Sequence, residues 1–274
     1  MSVGKGMMMK RARGSMAAAC AIAAMMASAQ PAWPANALSF PTTTFAILNP
    51  VTSAVIGRSI YRVVSTNQGG ILHGESHYDD GSSDFETSFL KSEGVGALPK
   101  LVEFDHTFYQ ADGSIMVRAH LNVSSGAATC IDNTGGQKNL QSSTLSIPDG
   151  TWAGASVVLP IQDLLRAGEA TSAVLLHVFS CAPGPRIFSV SLQVDPGNAM
   201  WAVYGAETTR VEVRPDFGWL NFVVSTFVPK LYARFDPNDG YAFVGDESSR
   251  YYKGPRIMLV KRRDDTSAVA RPAK

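Results

Sequence analysis

The sequence predicts an all-β fold, either an antiparallel β-barrel or a strongly curved sheet with one or two short helices. Short runs rich in Val, Ile, Phe, Tyr and Thr recur roughly every ten residues, and clusters of Gly, Asp, Asn and Pro separate them. This alternation of strand and turn residues is typical of sandwiches and barrels. Hydrophobic residues make up 45% of the chain, which is enough to build a real core.

Eleven segments have the composition of strands, and turn residues such as Asp80-Gly81 and Asp112-Gly113 lie between them. The predicted strands are 58–66, 70–78, 84–91, 100–109, 114–123, 173–181, 186–194, 208–214, 230–236, 241–247 and 256–262. Residues 124–150 are rich in Ser, Gly, Thr and Asn, so we expect a long loop region there.

Two segments have helical features. Residues 160–168 begin with Pro160 and end with Gly168. Proline is common at the first position of an α-helix, and glycine is common just after its end. Residues 218–228 place apolar side chains at helical spacing, but a buried strand accounts for the same pattern.

Strand register is specified best between the fourth and fifth predicted strands. Both alternate apolar and polar residues, and matching their apolar faces sets Phe108 beside Val117. The polar face then brings Asp105 opposite His120, an ordinary cross-strand charge pair. The same register leaves His106 on the apolar face.

The chain begins with a targeting segment, which we assign to residues 1–37. Four basic residues precede a small-apolar run at 16–29, and small-residue cleavage boxes follow at 27–29 and 35–37. These features make a secretory signal peptide. The alternative is an uncleaved anchor helix, for which the apolar run is too short. We therefore expect a mature chain in the periplasm or outside the cell.

The mature chain is predicted to be one antiparallel β domain, residues 38–262, followed by a flexible C-terminal tail, 263–274. The whole chain has 24 basic and 23 acidic residues, and loss of four basic leader residues leaves 20 against 23. A slightly acidic protein lacks the basic stripe that nucleic-acid binding needs. No run of the mature chain is long enough to span a membrane as a helix.

Cys130 and Cys181 are the two cysteines of the predicted mature chain. An even number of cysteines in an exported domain predicts a disulfide, because the compartment is oxidising. Two separate buried thiols are the alternative.

The stretch 73–86 (HGESHYDDGSSDFE) contains two histidines and five carboxylates. We predict a hairpin in which Tyr78 pairs with Phe85, and this register places His77 opposite Glu86. His77 with Glu75 or Glu86 then forms a candidate metal-ligand set. The alternative, which we favour, is the solvated face of an ordinary half-polar strand.

The C-terminal half carries a resemblance to a known family. Its order is a helix, LPIQDLLRAGE, then a hairpin, then PKLYARFDPNDGYAFVGDES and a last strand, RIMLVKRR. This organisation, with a first hairpin beginning GRSIYRVV, resembles uncharacterised secreted β-barrel proteins of Gram-negative bacteria. The resemblance implies an antiparallel barrel or curved sheet, and it supplies no catalytic residues.

Three functions follow from these features. The first is a non-catalytic envelope protein that binds an apolar ligand, such as a lipid, in a β-barrel. Six aromatic residues are candidates for lining such a cavity, although each would serve equally well as core: Trp152, Trp201, Tyr204, Trp219, Phe222 and Phe227. The second is an envelope assembly or interaction module without a small ligand. An enzyme built on the His, Asp and Glu residues ranks third, and we expect no cofactor because no P-loop, C-x-x-C or H-E-x-x-H motif is present.

The leader assignment yields the first testable prediction. The protein isolated from the cell envelope should begin at Leu38, since signal peptidase cleaves after a small-x-small box. N-terminal sequencing measures this directly. Retention of Met1 in the envelope fraction would contradict cleavage, and a start at Gln30 would move the cleavage site to the upstream box.

Overall fold

The computed structural model describes residues 42–94, 97–136, 138–168, 175–181, 184–195, 197–216, 230–251 and 254–262. The predicted leader, the tail and the second helix candidate at 218–228 lie outside these residues. The described residues form a single large curved β-sheet with one short α-helix, which confirms the predicted fold class. No helix among them is long and apolar enough to cross a membrane.

Sixteen strands make up the sheet in the described part of the chain. They are β1 (Thr43–Leu48), β2 (Val55–Thr66), β3 (Gly69–Tyr78), β4 (Ser83–Lys91), β5 (Lys100–Tyr109), β6 (Ile115–Asn122), β7 (Ala127–Asp132), β8 (Asn139–Thr144), β9 (Thr151–Ala153), β10 (Leu175–Ser180), β11 (Arg186–Val194), β12 (Ala199–Trp201), β13 (Ala206–Pro215), β14 (Leu231–Asp236), β15 (Ala242–Ser249) and β16 (Arg256–Lys261). A 3-10 turn (Gly154–Val157) and helix α1 (Val158–Ala167) separate β9 from β10, and a second 3-10 turn (Pro237–Asp239) follows β14.

Most neighbours in the sheet are consecutive in the chain. The order is β8-β7-β6-β5-β4-β3-β2-β1-β16-β15-β14-β13-β11-β10-β9, and β12 pairs with β13 beside this path. The ladders are antiparallel except that between β9 and β10. Pairing of β1 with β16 joins the two halves of the sheet into one continuous surface.

All eleven predicted strands are present, and the register predicted for β5 and β6 is confirmed. Phe108 faces Val117, and Asp105 faces His120 with their Oδ1 and Nδ1 atoms 3.1 Å apart. The prediction of a long loop at 124–150 was wrong, because β7 and β8 lie within it. The many Ser, Thr and Gly residues of this segment weaken its strand pattern, and pairing along β6 decides its conformation.

Helix α1 has the predicted end and begins two residues earlier than Pro160. Gly168 closes the helix in the left-handed conformation, with φ of 71°, and its backbone N–H reaches the carbonyls of Leu164 and Leu165. Glycine suits this position because it has no Cβ to strain the left-handed backbone.

The sheet curves around residues 151–167, which we call the inner segment. Leu159 of α1 belongs to a buried cluster with residues of β3 to β7, whereas Ile161 and Leu165 belong to a second cluster with residues of β10, β11, β13 and β14. A single short helix reaches both groups of strands only if the sheet closes round it. The face that contacts this segment is termed the inner face, and the opposite one is the outer face.

A disulfide between Cys130 and Cys181 holds the ends of the curved sheet together, as the sequence predicted. Cys130 lies on β7, the second strand from one end, and Cys181 directly follows β10, the second strand from the other. Their Cα atoms are 5.6 Å apart. The disulfide therefore links the two ends of the sheet, which no backbone ladder joins among the described strands.

The disulfide gives the second prediction. The two cysteines are separated by 51 residues, and a crosslink over such a loop is worth about 4 kcal/mol in the chain-entropy model. Replacing both with alanine should lower the free energy of unfolding by about that amount in a denaturant titration. Non-reducing peptide mapping should recover the linked peptides, and full thiol labelling of oxidised protein would contradict the bridge.

Candidate functional site

The β3–β4 hairpin, which contains the stretch 73–86, has a tighter turn than its sequence suggested. The Tyr78 N–H bonds to the Ser82 carbonyl at 3.0 Å, and Gly81 takes a positive φ of 83° between them. This three-residue loop with a left-handed glycine is a common hairpin connection. It pairs Glu75 with Phe85, so the predicted pairing of Tyr78 with Phe85 was wrong.

The observed register separates Glu86 from the other two residues of the predicted metal-ligand set, whereas His77 and Glu75 lie together. Glu75 and His77 lie on the outer face, with Oε1 and Nε2 2.5 Å apart. Glu86 points to the inner face, opposite Gly74 and His106. A shift by an odd number of residues moves a side chain to the other face, so His77 and Glu86 do not meet.

The inner face instead brings together a polar cluster, which we call the inner cluster. It contains Tyr61 from β2, Asp84 and Glu86 from β4, His106 from β5, and Asp246 from β15. The ladder from β2 to β5 aligns three of its members in one row, Tyr61, Glu86 and His106, with Gly74 between the first two. A Cβ at Gly74 would lie 2.6 Å from the Tyr61 ring, so glycine makes room for the tyrosine.

Glu86 fastens the inner segment to the sheet. Its Oε1 accepts a hydrogen bond from the Ala155 N–H at 2.7 Å, at the start of the first 3-10 turn. Gly154 has φ of 50°, and a Cβ there would overlap the Glu86 carboxyl group. The sheet carboxyl and the glycine therefore fit one another, and together they fix the point where the chain turns from β9 into its helical part.

Asp84 and His106 form an ion pair beside Glu86. The Nε2 of His106 is 2.6 Å from Oδ1 of Asp84, and both side chains are largely buried. Burial lowers the pKa of His106, but the carboxylate of Asp84 outweighs this effect and raises it to about 9. The imidazole is consequently protonated at neutral pH.

Two further carboxyls of the inner cluster titrate near neutrality. Removal from solvent raises the pKa of Glu86 to about 7, against the opposing effects of His106 and the Ala155 N–H. Removal from solvent likewise raises the pKa of Asp246 to about 7, although a backbone hydrogen bond from Leu259 opposes it. The inner cluster therefore changes charge within the neutral range.

Arg250 reaches over the inner face from the β15–β16 connection to the β3–β4 turn. Its guanidinium carbon is 3.6 Å from the centroid of the Tyr78 ring, and Nη1 bonds to Oδ2 of Asp80 at 2.8 Å. Partial burial would raise the pKa of Asp80, but hydrogen bonds from Ser82 and Arg250 lower it to about 2. The contact ties the second half of the sheet to the first hairpin.

The predicted ligand-lining aromatic residues occupy different faces of the sheet. Trp152 belongs to the inner segment, is 4% exposed and packs in the core with residues of the inner face. Trp201 and Tyr204 belong to an outer-face cluster, where Trp201 packs over Gly245 and stacks 4.8 Å from the guanidinium of Arg234. The last three candidates lie outside the described residues: Trp219, Phe222 and Phe227.

The inner cluster holds the inner segment against the sheet. Its Glu86 carboxylate is engaged by a backbone amide, and its His106 by Asp84. Sequence reasoning placed His106 on an apolar face, which was a signal for a partnered buried histidine. It did not find Glu86, Asp246 or Tyr61 as a group, because they come from three distant segments.

Comparisons with known proteins add a single structural likeness. No family model matches the chain, and no curated relative does. A solved β-barrel-like protein of a domain of unknown function, DUF1849, from Brucella abortus is similar with a TM-score of 0.45 and 10% identity. The match covers 81% of this chain and 95% of that protein.

Glu86 gives the third prediction. The ordinary pKa of this carboxyl is 4.5 and its folded value is about 7, so the folded state keeps a proton that the unfolded state has lost. The melting temperature should therefore fall as the pH rises across this range. Glu86→Gln should remove about a third of that fall, because Asp246 and His106, whose pKa values are also raised, contribute the rest.

Thermal melts of both proteins at pH 5 and pH 8 test this expectation. The variant should match the wild type at pH 5 and exceed it at pH 8, because glutamine retains an acceptor oxygen and no ionisation. Glu75→Gln, on the outer face of the same hairpin, is the matched control and should keep the wild-type dependence. A fall in Glu86→Gln as steep as in the wild type would contradict the assignment.

Proposed function

We propose that this protein is an exported, non-catalytic interaction module of the cell envelope. Its β8 edge binds an extended segment of a partner protein by adding a strand to the sheet. The observation that carries this proposal is the free edge of β8, which has no partner strand among the described residues.

Strand β8 ends the sheet and is exposed along its whole length. It pairs with β7 and with no other strand in the described part of the chain. The opposite end differs, because all three residues of β9 are buried. Exposed edges are usually protected by charges, prolines or bulges, and β8 (NLQSST) has none of these.

Alternation of the backbone shows which amides of β8 point to the free side. The Leu145 N–H bonds to the Gly126 carbonyl at 2.8 Å, on the β7 side. Since an antiparallel strand alternates its hydrogen bonds, the N–H groups of Leu140, Ser142 and Thr144 point away from β7. These three amides, with their carbonyls, form the template for an added strand.

The rest of the molecule favours an interaction module over a cavity for a ligand. The inner segment covers part of the inner face, with Ala153 fully buried and Leu159 at 2% exposure. Leu140 of β8, by contrast, is 55% exposed and lies opposite Ile131 on the adjoining strand. A partner strand therefore finds both backbone groups and an apolar side chain at this edge. Export is supported by the leader pattern and by the disulfide, which oxidising compartments permit.

Photo-crosslinking in cells that produce the protein tests the edge. A benzophenone amino acid at Leu140 should give a discrete adduct, because its side chain stands beside the added strand. Ser142→Pro should abolish the adduct, since proline removes an outward amide and leaves the ladder to β7 intact. Ser142→Val keeps the amide and should retain the adduct.

Circular dichroism and melting temperature must first show that both Ser142 variants are folded. No adduct at Leu140, or an adduct that persists in the folded Ser142→Pro variant, would reject strand addition at β8. An adduct with twice the mass of the chain would identify the partner as a second copy.

An apolar ligand on the inner face is the second candidate. It is favoured by the hydrogen bond that attaches Ala155 to Glu86, because release of this contact would uncover apolar surface around Trp152. Mass spectrometry of protein purified from its native envelope tests this candidate. A stoichiometric amount of lipid would favour ligand binding. Protein purified without lipid would favour the interaction module.

A further inference from the structure

We infer that Glu103, Asp105 and His120 form a binding site for a divalent transition-metal ion, zinc by preference, on the outer face of β5 and β6. This site is separate from the β8 edge and from the inner cluster. It also differs from the set His77, Glu75 and Glu86, of which the hairpin brings only the first two together.

The ladder between β5 and β6 assembles the three residues. Glu103 and Asp105 are two positions apart on β5 and so share the outer face, and His120 is the direct cross-strand partner of Asp105. One ligand atom from each residue lies within 4.8 Å of the other two. Because all three stand on paired strands, the backbone holds them in this arrangement without a loop.

The donor set suits a metal such as zinc. Zinc takes imidazole nitrogen and carboxylate oxygen at about 2.0–2.2 Å, and three protein ligands leave one position open. An imidazole favours zinc over magnesium or calcium, which prefer oxygen donors alone. The three ligand atoms lie within 4.8 Å of one another, so side-chain rotation has to draw them closer around one ion.

Partial burial strengthens the site relative to a fully solvated pair. The side chains of Asp105 and His120 are 33% and 32% exposed. A competing cation is present, because Nη2 of Arg118 lies 3.7 Å from Oδ1 of Asp105. Metal binding displaces this weak contact, so removal of Arg118 should strengthen binding.

Isothermal titration calorimetry of tag-free mature protein, stripped with EDTA and titrated with zinc chloride, tests the site. One zinc per chain is expected, with no calcium binding at the same concentration. His120→Ala should abolish zinc binding, and Glu103→Gln should weaken it at least about tenfold. Arg118→Gln should bind more tightly than the wild type.

The matched control is His77→Ala, which removes an outer-face histidine that has only Glu75 as a neighbouring ligand group. This variant should bind zinc as the wild type does. Thermal melts supply a second readout, because a ligand that binds the folded state raises the melting temperature. Zinc should raise the melting temperature of the wild type, and this rise should vanish only in the Glu103 and His120 variants. Absence of zinc binding in the wild type, unchanged binding in folded His120→Ala, or its loss in His77→Ala would overturn the inference.

Discussion

The packing of the inner segment against both halves of the sheet is the constraint on which the rest of the structure depends. Leu159 shares a buried cluster with strands of the first half, whereas Ile161 and Leu165 share one with strands of the second. A sheet of this length has two free ends and an apolar face to cover, and one helix covers part of that face from inside. The disulfide then holds the ends close enough for these contacts to persist.

Enclosing a helical segment in this way creates a polar problem, because the first amides of its 3-10 turn have no partner within the turn. Glu86 solves it by accepting the Ala155 N–H, at the cost of placing a carboxyl away from water. The imidazole of His106 offsets part of that cost, although its partner Asp84 acts against the Glu86 carboxylate. The raised pKa values of Glu86 and Asp246 thus follow from the architecture and are consistent with a structural fastening.

The inner segment packs against the inner face, whereas the proposed strand-addition site and the proposed metal site lie on the β8 edge and on the outer face. These two surfaces offer different chemistry. The β8 edge presents backbone donors and acceptors without sequence-specific charge, whereas the β5–β6 ladder presents two carboxylates and an imidazole. Strand pairing produces both features: it stops at β8, and it aligns Asp105 with His120.

The sequence by itself determined the fold class, eleven strands, the end of α1, the β5–β6 register and the pairing of Cys130 with Cys181. Each depends on a local pattern or on a choice with few alternatives: alternation, a closing glycine, or an even cysteine count. Only the tertiary structure decided the register of the β3–β4 hairpin, the strands hidden in 124–150 and the inner cluster. The physical reason is that a three-residue turn fixes which face Glu86 occupies, and curvature decides what meets it there.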